Sequence, residues 1–151
     1  MRKGFTRISA FICTLCLCFG MIGTVGAADI ESEQDSRASD YLTYYDAWAT
    51  TGAKGEVIIS FDIGATRKVG FVGATNIIVQ EKRGSSWYGV STHFGSESNG
   101  LLITNADSHY GNIAYSGTSG KEYRASVTIY GGNDLTSGDY RTIITNTVTA
   151  K

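Results

Sequence analysis

Gly120-Lys121-Glu122-Tyr123-Arg124-Ala125-Ser126-Val127-Thr128-Ile129-Tyr130 decides the fold class. Tyr123, Ala125, Val127 and Ile129 alternate with Arg124, Ser126 and Thr128. Successive side chains of a strand point to opposite faces, so a period of two marks a strand with one buried face. Small residues precede the stretch, and Gly131-Gly132-Asn133-Asp134 closes it with a strong turn pattern. It reads as a central strand of an all-β domain.

The same reading extends outward. Residues 56–65 alternate with Val57, Ile59, Phe61 and Ile63 inward and Glu56, Ser60 and Asp62 outward. Residues 40–51 place Leu42, Tyr44, Asp46 and Trp48 on one mostly apolar face, expected as a first, edge strand. Residues 65–74, with Gly64, Gly70 and Gly73 around Val69 and Phe71, are expected as a crossing loop that plugs one end of the core. Residues 75–83, with Ile77 and Val79 inward, and 87–94, with Tyr88, Val90, Thr92 and Phe94 on one face, form a hairpin around Gly84-Ser85-Ser86. A short strand over 101–104, a loop over 105–111, a minor strand or loop over 113–115 and a last strand over 140–149 complete the chain. About seven strands with turn signals every 8–12 residues give an antiparallel β-sandwich as the expected architecture.

The first 28 residues differ in kind. Arg2, Lys3 and Arg7 precede an uncharged apolar run over 8–22, followed by Gly23-Thr24-Val25-Gly26-Ala27-Ala28. That is the three-part pattern of a secretory signal peptide, with cleavage after Ala27 or Ala28. The competing reading is an uncleaved anchor, since 8–28 nearly spans a bilayer. The small-residue exit favours cleavage, and no membrane association is expected after it. All three cysteines, Cys13, Cys16 and Cys18, lie in this segment, so the mature chain is expected to be secreted without a disulfide. Residues 29–39 are acidic and polar and read as a flexible lead-in or a short helix. The sandwich domain is expected over 40–151.

Removing Arg2, Lys3 and Arg7 leaves 10 of the 13 Lys and Arg against all 14 Asp and Glu, a net charge near −4. Nucleic-acid binding needs a basic footprint and is not expected. Two histidines, His93 and His109, stand 16 residues apart with no mature cysteine, too few ligands for zinc. Neither cofactor nor metal is expected. No G-x-S-x-G occurs. His93 reads as an exposed strand residue, and His109 as the better candidate for a functional histidine. Asn133, Asp134 and Asp139 could offer oxygens to calcium, but turn chemistry accounts for the same residues. Asp62 and Glu81 read as solvated outer-face carboxylates.

Aromatic residues are the surplus, with 9 Tyr, 6 Phe and 2 Trp. Exposed rings stack on sugars or anchor protein partners because they bring large apolar area at low entropic cost. Trp87, Tyr88 and Tyr110 are the candidate ligand-binding aromatics, and Trp87 is expected to be the most exposed. Packing at the domain ends and across strands is the competing reading for all of them.

Two resemblances follow from particular residues. Gly120-Lys121 followed by Tyr123-Arg124-Ala125-Ser126-Val127 resembles the tyrosine-corner strand of fibronectin type III and immunoglobulin-like domains. The resemblance implies that the Tyr123 hydroxyl bonds back to upstream backbone. Phe61 stands where such domains carry a core Trp, and there is no Cys…Trp…Cys pattern. Tyr41-Leu42-Thr43-Tyr44-Tyr45, Val57-Ile58-Ile59-Ser60-Phe61, Ile78-Val79-Gln80-Glu81-Lys82 and Arg141-Thr142-Ile143-Ile144-Thr145-Asn146, behind the leader and acidic lead-in, look like an uncharacterised family of short secreted proteins from Gram-positive bacteria. That likeness implies export and an immunoglobulin-like fold, but no activity. The expected function is therefore a secreted, non-enzymatic binding module for a glycan, an envelope component or another protein. A small secreted hydrolase using His109 or a carboxylate pair is the alternative.

Overall fold

The computed structural model describes residues 39–151. The leader, its cleavage positions Ala27 and Ala28, and all of the lead-in except Ser39 lie outside the described residues. Seven strands run β1 (Leu42–Thr51), β2 (Glu56–Arg83), β3 (Ser86–Phe94), β4 (Leu102–Ser116), β5 (Glu122–Gly132), β6 (Gly138–Ile144) and β7 (Val148–Thr149). Every pairing is antiparallel, and no helix occurs among the described residues.

β2 is the spine. Its first half pairs with β1 on one edge and β4 on the other. Its second half pairs with β5 on one edge, and with the start of β4 and then β3 on the other. β5 in turn carries β6 and β7. Val57, Ile59, Phe61 and Ile63 from the first half, and Val72, Ala74, Ile77 and Val79 from the second, are completely buried. Tyr123, Ala125, Val127 and Ile129 of β5 are buried with them, and all twelve belong to one core cluster. Each large side chain among these contributes about 1.5–3 kcal/mol by leaving water.

Residues 65–74 are strand, not the expected crossing loop. Inward positions on β2 switch from odd (57–63 and 69) to even (72 and 74) and back to odd (77 and 79). The register against β4 slips between Gly64 and Val69, and that against β5 between Ala74 and Asn76. Such irregularities bend a strand and change which parity faces inward. The glycines here serve close approach. Gly73 has φ +148°, and a Cβ there would stand 2.1 Å from the Leu101 carbonyl oxygen. The expected loop over 105–111 is likewise part of β4. A Cβ at Gly111 would stand 2.4 Å from the Phe61 ring, so the glycine leaves room for the largest side chain of the β2 core face.

β3 departs from expectation in its facing. Val79 pairs with Ser91 but Gln80 with Gly89, so Val90 is a bulged extra residue. Tyr88 and Phe94 therefore lie on opposite faces. Phe94 is 73% exposed and is the most exposed large apolar side chain described. The expected last strand over 140–149 is two short ones broken at 145–147. In that break Asn146 acts as a surrogate strand. Its Oδ1 accepts from Ala49 N–H at 2.9 Å, and its Nδ2 donates to Ala49 O at 3.0 Å. Ser39 is tied down as well. Its hydroxyl donates to Asp139 and accepts the Leu42 N–H.

The Tyr123 hydroxyl accepts the Thr118 N–H at 2.9 Å and donates to Glu81 Oε2 at 3.1 Å. Glu81 Oε1 in turn accepts from Arg83 Nε at 2.9 Å. Replacing Tyr123 by Phe keeps the ring but removes the hydroxyl, and with it both hydrogen bonds, to the exposed Thr118 N–H and to the half-buried Glu81 carboxylate. Because water can reach both partners, urea unfolding of Tyr123→Phe is expected to show a loss of about 0.5–1.5 kcal/mol at unchanged m-value.

Candidate functional site

In an antiparallel ladder directly opposed residues share a face. The inward faces of β1, β2 and β4 carry Ala47, Ala49, Phe61 and Ile113. The opposite face is therefore set row by row. Tyr44, Gly64 and Ser108 form one row, and Asp46, Asp62 and Tyr110 the next. Trp48, Ser60 and Asn112 follow, and then Thr50, Ile58 and Ala114. Three aromatic rings thus converge on an open sheet surface around two carboxylates and an amide, with the Ser60 hydroxyl buried among them.

The rings are held in place. Trp48 and Tyr110 stand 6.1 Å apart between centroids, tilted by 39°. The Tyr110 hydroxyl donates to Ser60 Oγ at 3.5 Å across the middle strand. Tyr44 lies over Gly64, where a Cβ would come within 2.1 Å of the ring. Its hydroxyl donates to Asp62 Oδ1 at 3.2 Å. Desolvation and the Asp62 charge hold the Tyr44 phenol above its ordinary value. Tyr44 and Tyr110 remain about half exposed, at 49% and 56%, and Trp48 is half-buried. This preset, partly open trio offers apolar ring faces with hydrogen-bonding groups between them.

The three expected aromatics do not converge. Tyr110 belongs to the trio. Trp87 lies on a different surface, the outer side of β3, opposite Lys82. It is half-buried rather than most exposed, because the Arg124 guanidinium stacks 4.3 Å above its ring. Arg124 is itself fixed by donating to Gln80 Oε1 at 2.8 Å. Tyr88 pairs with Glu81 on the reverse side of β3, with the Arg83 guanidinium 5.4 Å from its ring centre.

The sequence reading missed Tyr44, Asp46 and Trp48 as site residues, although it placed them correctly on one face. Leu42 faces inward, but the register slips between Leu42 and Tyr44 and turns the other three outward. Asp46 was the available signal. A carboxylate at strand period between two aromatics belongs on a wet face, whatever its neighbours.

Neither histidine stands at this face. His109 lies opposite Ile63 on the inner side, edge-on to Phe61 at 5.4 Å, with its Nε2 2.8 Å from the Gly100 carbonyl oxygen. His93 is half-buried opposite Ile77, with Nε2 3.0 Å from Ser91 Oγ, and so is not the expected exposed residue. The Asp134 loop is turn chemistry. Its carboxylate accepts both the N–H and the hydroxyl of Thr136 and of Ser137. Among the described residues no three His, Cys, Asp or Glu are grouped to hold a metal ion.

Two outcomes follow from these carboxylates. The hydroxyls of Thr136 and Ser137, with their N–H groups, hold Asp134 well below the usual carboxylate range. A carboxyl depressed in the folded state stabilises above its unfolded value and loses that contribution as the pH falls toward the folded one. The melting-temperature gap between the parent and Asp134→Ala is thus expected at neutral pH and should close as pH drops below about 4. Asp46 and Asp62 are like charges directly opposed across strands, an arrangement that costs about 0.2–1 kcal/mol. Asp46→Asn keeps the acceptor used by Ala47 N–H and is expected to raise stability in low salt by that order, with the gain shrinking as salt rises. No protein-family model, curated protein or solved structure matches the chain.

Proposed function

We propose that this is an exported, non-catalytic binding module whose β1–β2–β4 face binds a polysaccharide. The observation that carries the reading is the convergence of Tyr44, Trp48 and Tyr110 on one open face, with Asp46, Asp62 and Asn112 between them. Sugar rings present apolar C–H faces edged by hydroxyls. Aromatic rings take the former and carboxylates or amides the latter. Export is the expectation from residues 1–28. The finer reading of the fold, an antiparallel sandwich of the immunoglobulin and fibronectin type III kind, is supported by the Tyr123 hydroxyl on the Thr118 N–H. It is supported too by the passage of β2 from one group of strands to another around a shared core.

The paired Asp46 and Asp62 give the hydrolase alternative its one specific support, because glycoside hydrolysis uses two nearby carboxyl groups. Binding is favoured because it needs only what this face already presents, whereas hydrolysis also needs an acid and a base set apart by their surroundings.

Depletion of the purified chain by insoluble chitin, chitosan, cellulose and peptidoglycan tests the proposal. At least one matrix is expected to remove the parent. Trp48→Ala and Tyr110→Ala are expected to lose that retention about tenfold or more while their melting temperatures stay near the parent's. Trp87→Ala should be retained like the parent. Equal retention of all variants, or none of the parent on any matrix, overturns the proposal. Sugar release that Asp46→Asn and Asp62→Asn both abolish would establish the hydrolase instead.

A further inference from the structure

In the four rows from Tyr44–Gly64–Ser108 to Thr50–Ile58–Ala114 the charged residues are Asp46 and Asp62 alone, with Glu56 one row beyond at one end and Arg67 and Lys68 following Gly64 on β2 at the other. Asp46 and Asp62 oppose each other directly, and among the described residues no cation pairs with either. Their partners are neutral donors, Ala47 N–H at 2.8 Å to Asp46 and the Tyr44 hydroxyl at 3.2 Å to Asp62. The repulsion is therefore left in the unliganded protein. Tyr44, Trp48 and Tyr110 flank the same pair, and ring faces attract cations through their quadrupoles. Rings and carboxylates thus favour the same charge sign at the same place.

We propose that the recognition unit is a cationic sugar, a hexosamine whose amine is free rather than acetylated, repeated along a polysaccharide. The inference rests on the carbohydrate reading above and narrows it. The ammonium takes the place between Asp46 and Asp62, while the sugar ring stacks on the aromatic trio. Binding removes the like-charge cost and forms charge-assisted hydrogen bonds. An acetylated amine would bring an uncharged group to two facing carboxylates. A uronic acid or phosphate polymer would be repelled.

The test is calorimetric titration of the full chain with glucosamine hexamer and with N-acetylglucosamine hexamer, at low and at physiological salt. The glucosamine hexamer is expected to bind at least tenfold more tightly, with affinity falling as salt rises. Asp46→Asn with Asp62→Asn should erase the preference. Glu97→Gln, which removes an exposed acid elsewhere, should keep it and so exclude general attraction to an acidic protein. Thermal melts of each variant establish that it is folded. Equal binding of the two hexamers, or tighter binding of the acetylated one, overturns the charge inference and leaves the carbohydrate reading standing. Binding of neither, with the parent also retained on no matrix, overturns both. Hexalysine binding as strong as that of the glucosamine hexamer overturns the sugar assignment in favour of a basic peptide.

Discussion

A strand of 28 residues has to satisfy its backbone along both edges, and nearly everything in this protein is arranged around that demand. No single neighbour is long enough. β1 and β5 succeed each other along one edge of β2, and β4 and β3 along the other. The strand must bend between the two sets, since both of its halves feed one core. Gly73 permits the bend by letting the Leu101 backbone approach closely, and the Ala74 N–H donates to the Leu101 carbonyl at 2.8 Å. The slip at Thr75 then restores odd parity to the inner face. Its hydroxyl donates to the Thr128 carbonyl oxygen at 3.1 Å, so the irregular position stays hydrogen-bonded to the neighbouring strand.

The aromatic face follows from the same geometry. Where β1, the first half of β2 and β4 run side by side, every second residue is turned away from the core. Residues far apart in sequence, such as Trp48 and Tyr110, then meet at 6.1 Å. Rigidity comes from below. Val57, Ile59, Phe61 and Ile63 anchor the middle strand without exposure, so the face keeps its spacing. A site on strands can hold its rings more closely than one on loops, which reduces the ordering cost of binding.

Strand periodicity was readable wherever the inner face was uniformly apolar. β5 and the first half of β2 are of this kind, and both were read correctly. The segment 65–74 was not, because its glycines looked like punctuation and its parity changes twice. β4 failed for a related reason. Asn105-Ala106-Asp107-Ser108 is polar on an edge strand with one wet face and resembles a loop. The site was legible only in part. Alternation shows that Tyr44, Asp46 and Trp48 share a face but not which face is wet, since that depends on the slip after Leu42. Trp87 was overestimated because the cation covering it, Arg124, lies two strands away and reaches it only in the folded sheet.

Asn146 has a consequence for β1. One edge of that strand is a full ladder to β2, while the other has no ladder and is clasped by side chains: the Asn146 carboxamide at Ala49, and at the head of the strand the Asp139 carboxylate, which accepts from the Ser39 hydroxyl and the Tyr41 N–H. The seam is thus fastened by side chains near its two ends, and β1 can come away there without breaking a second backbone ladder. Two of the three rings ride on it. A ligand lying across Trp48 and Tyr110 would bridge β1 to β4 over the top of β2. Occupancy and the integrity of the seam are then thermodynamically linked: whatever fills the face also keeps the sheet shut, and amide exchange along β1 reports on both.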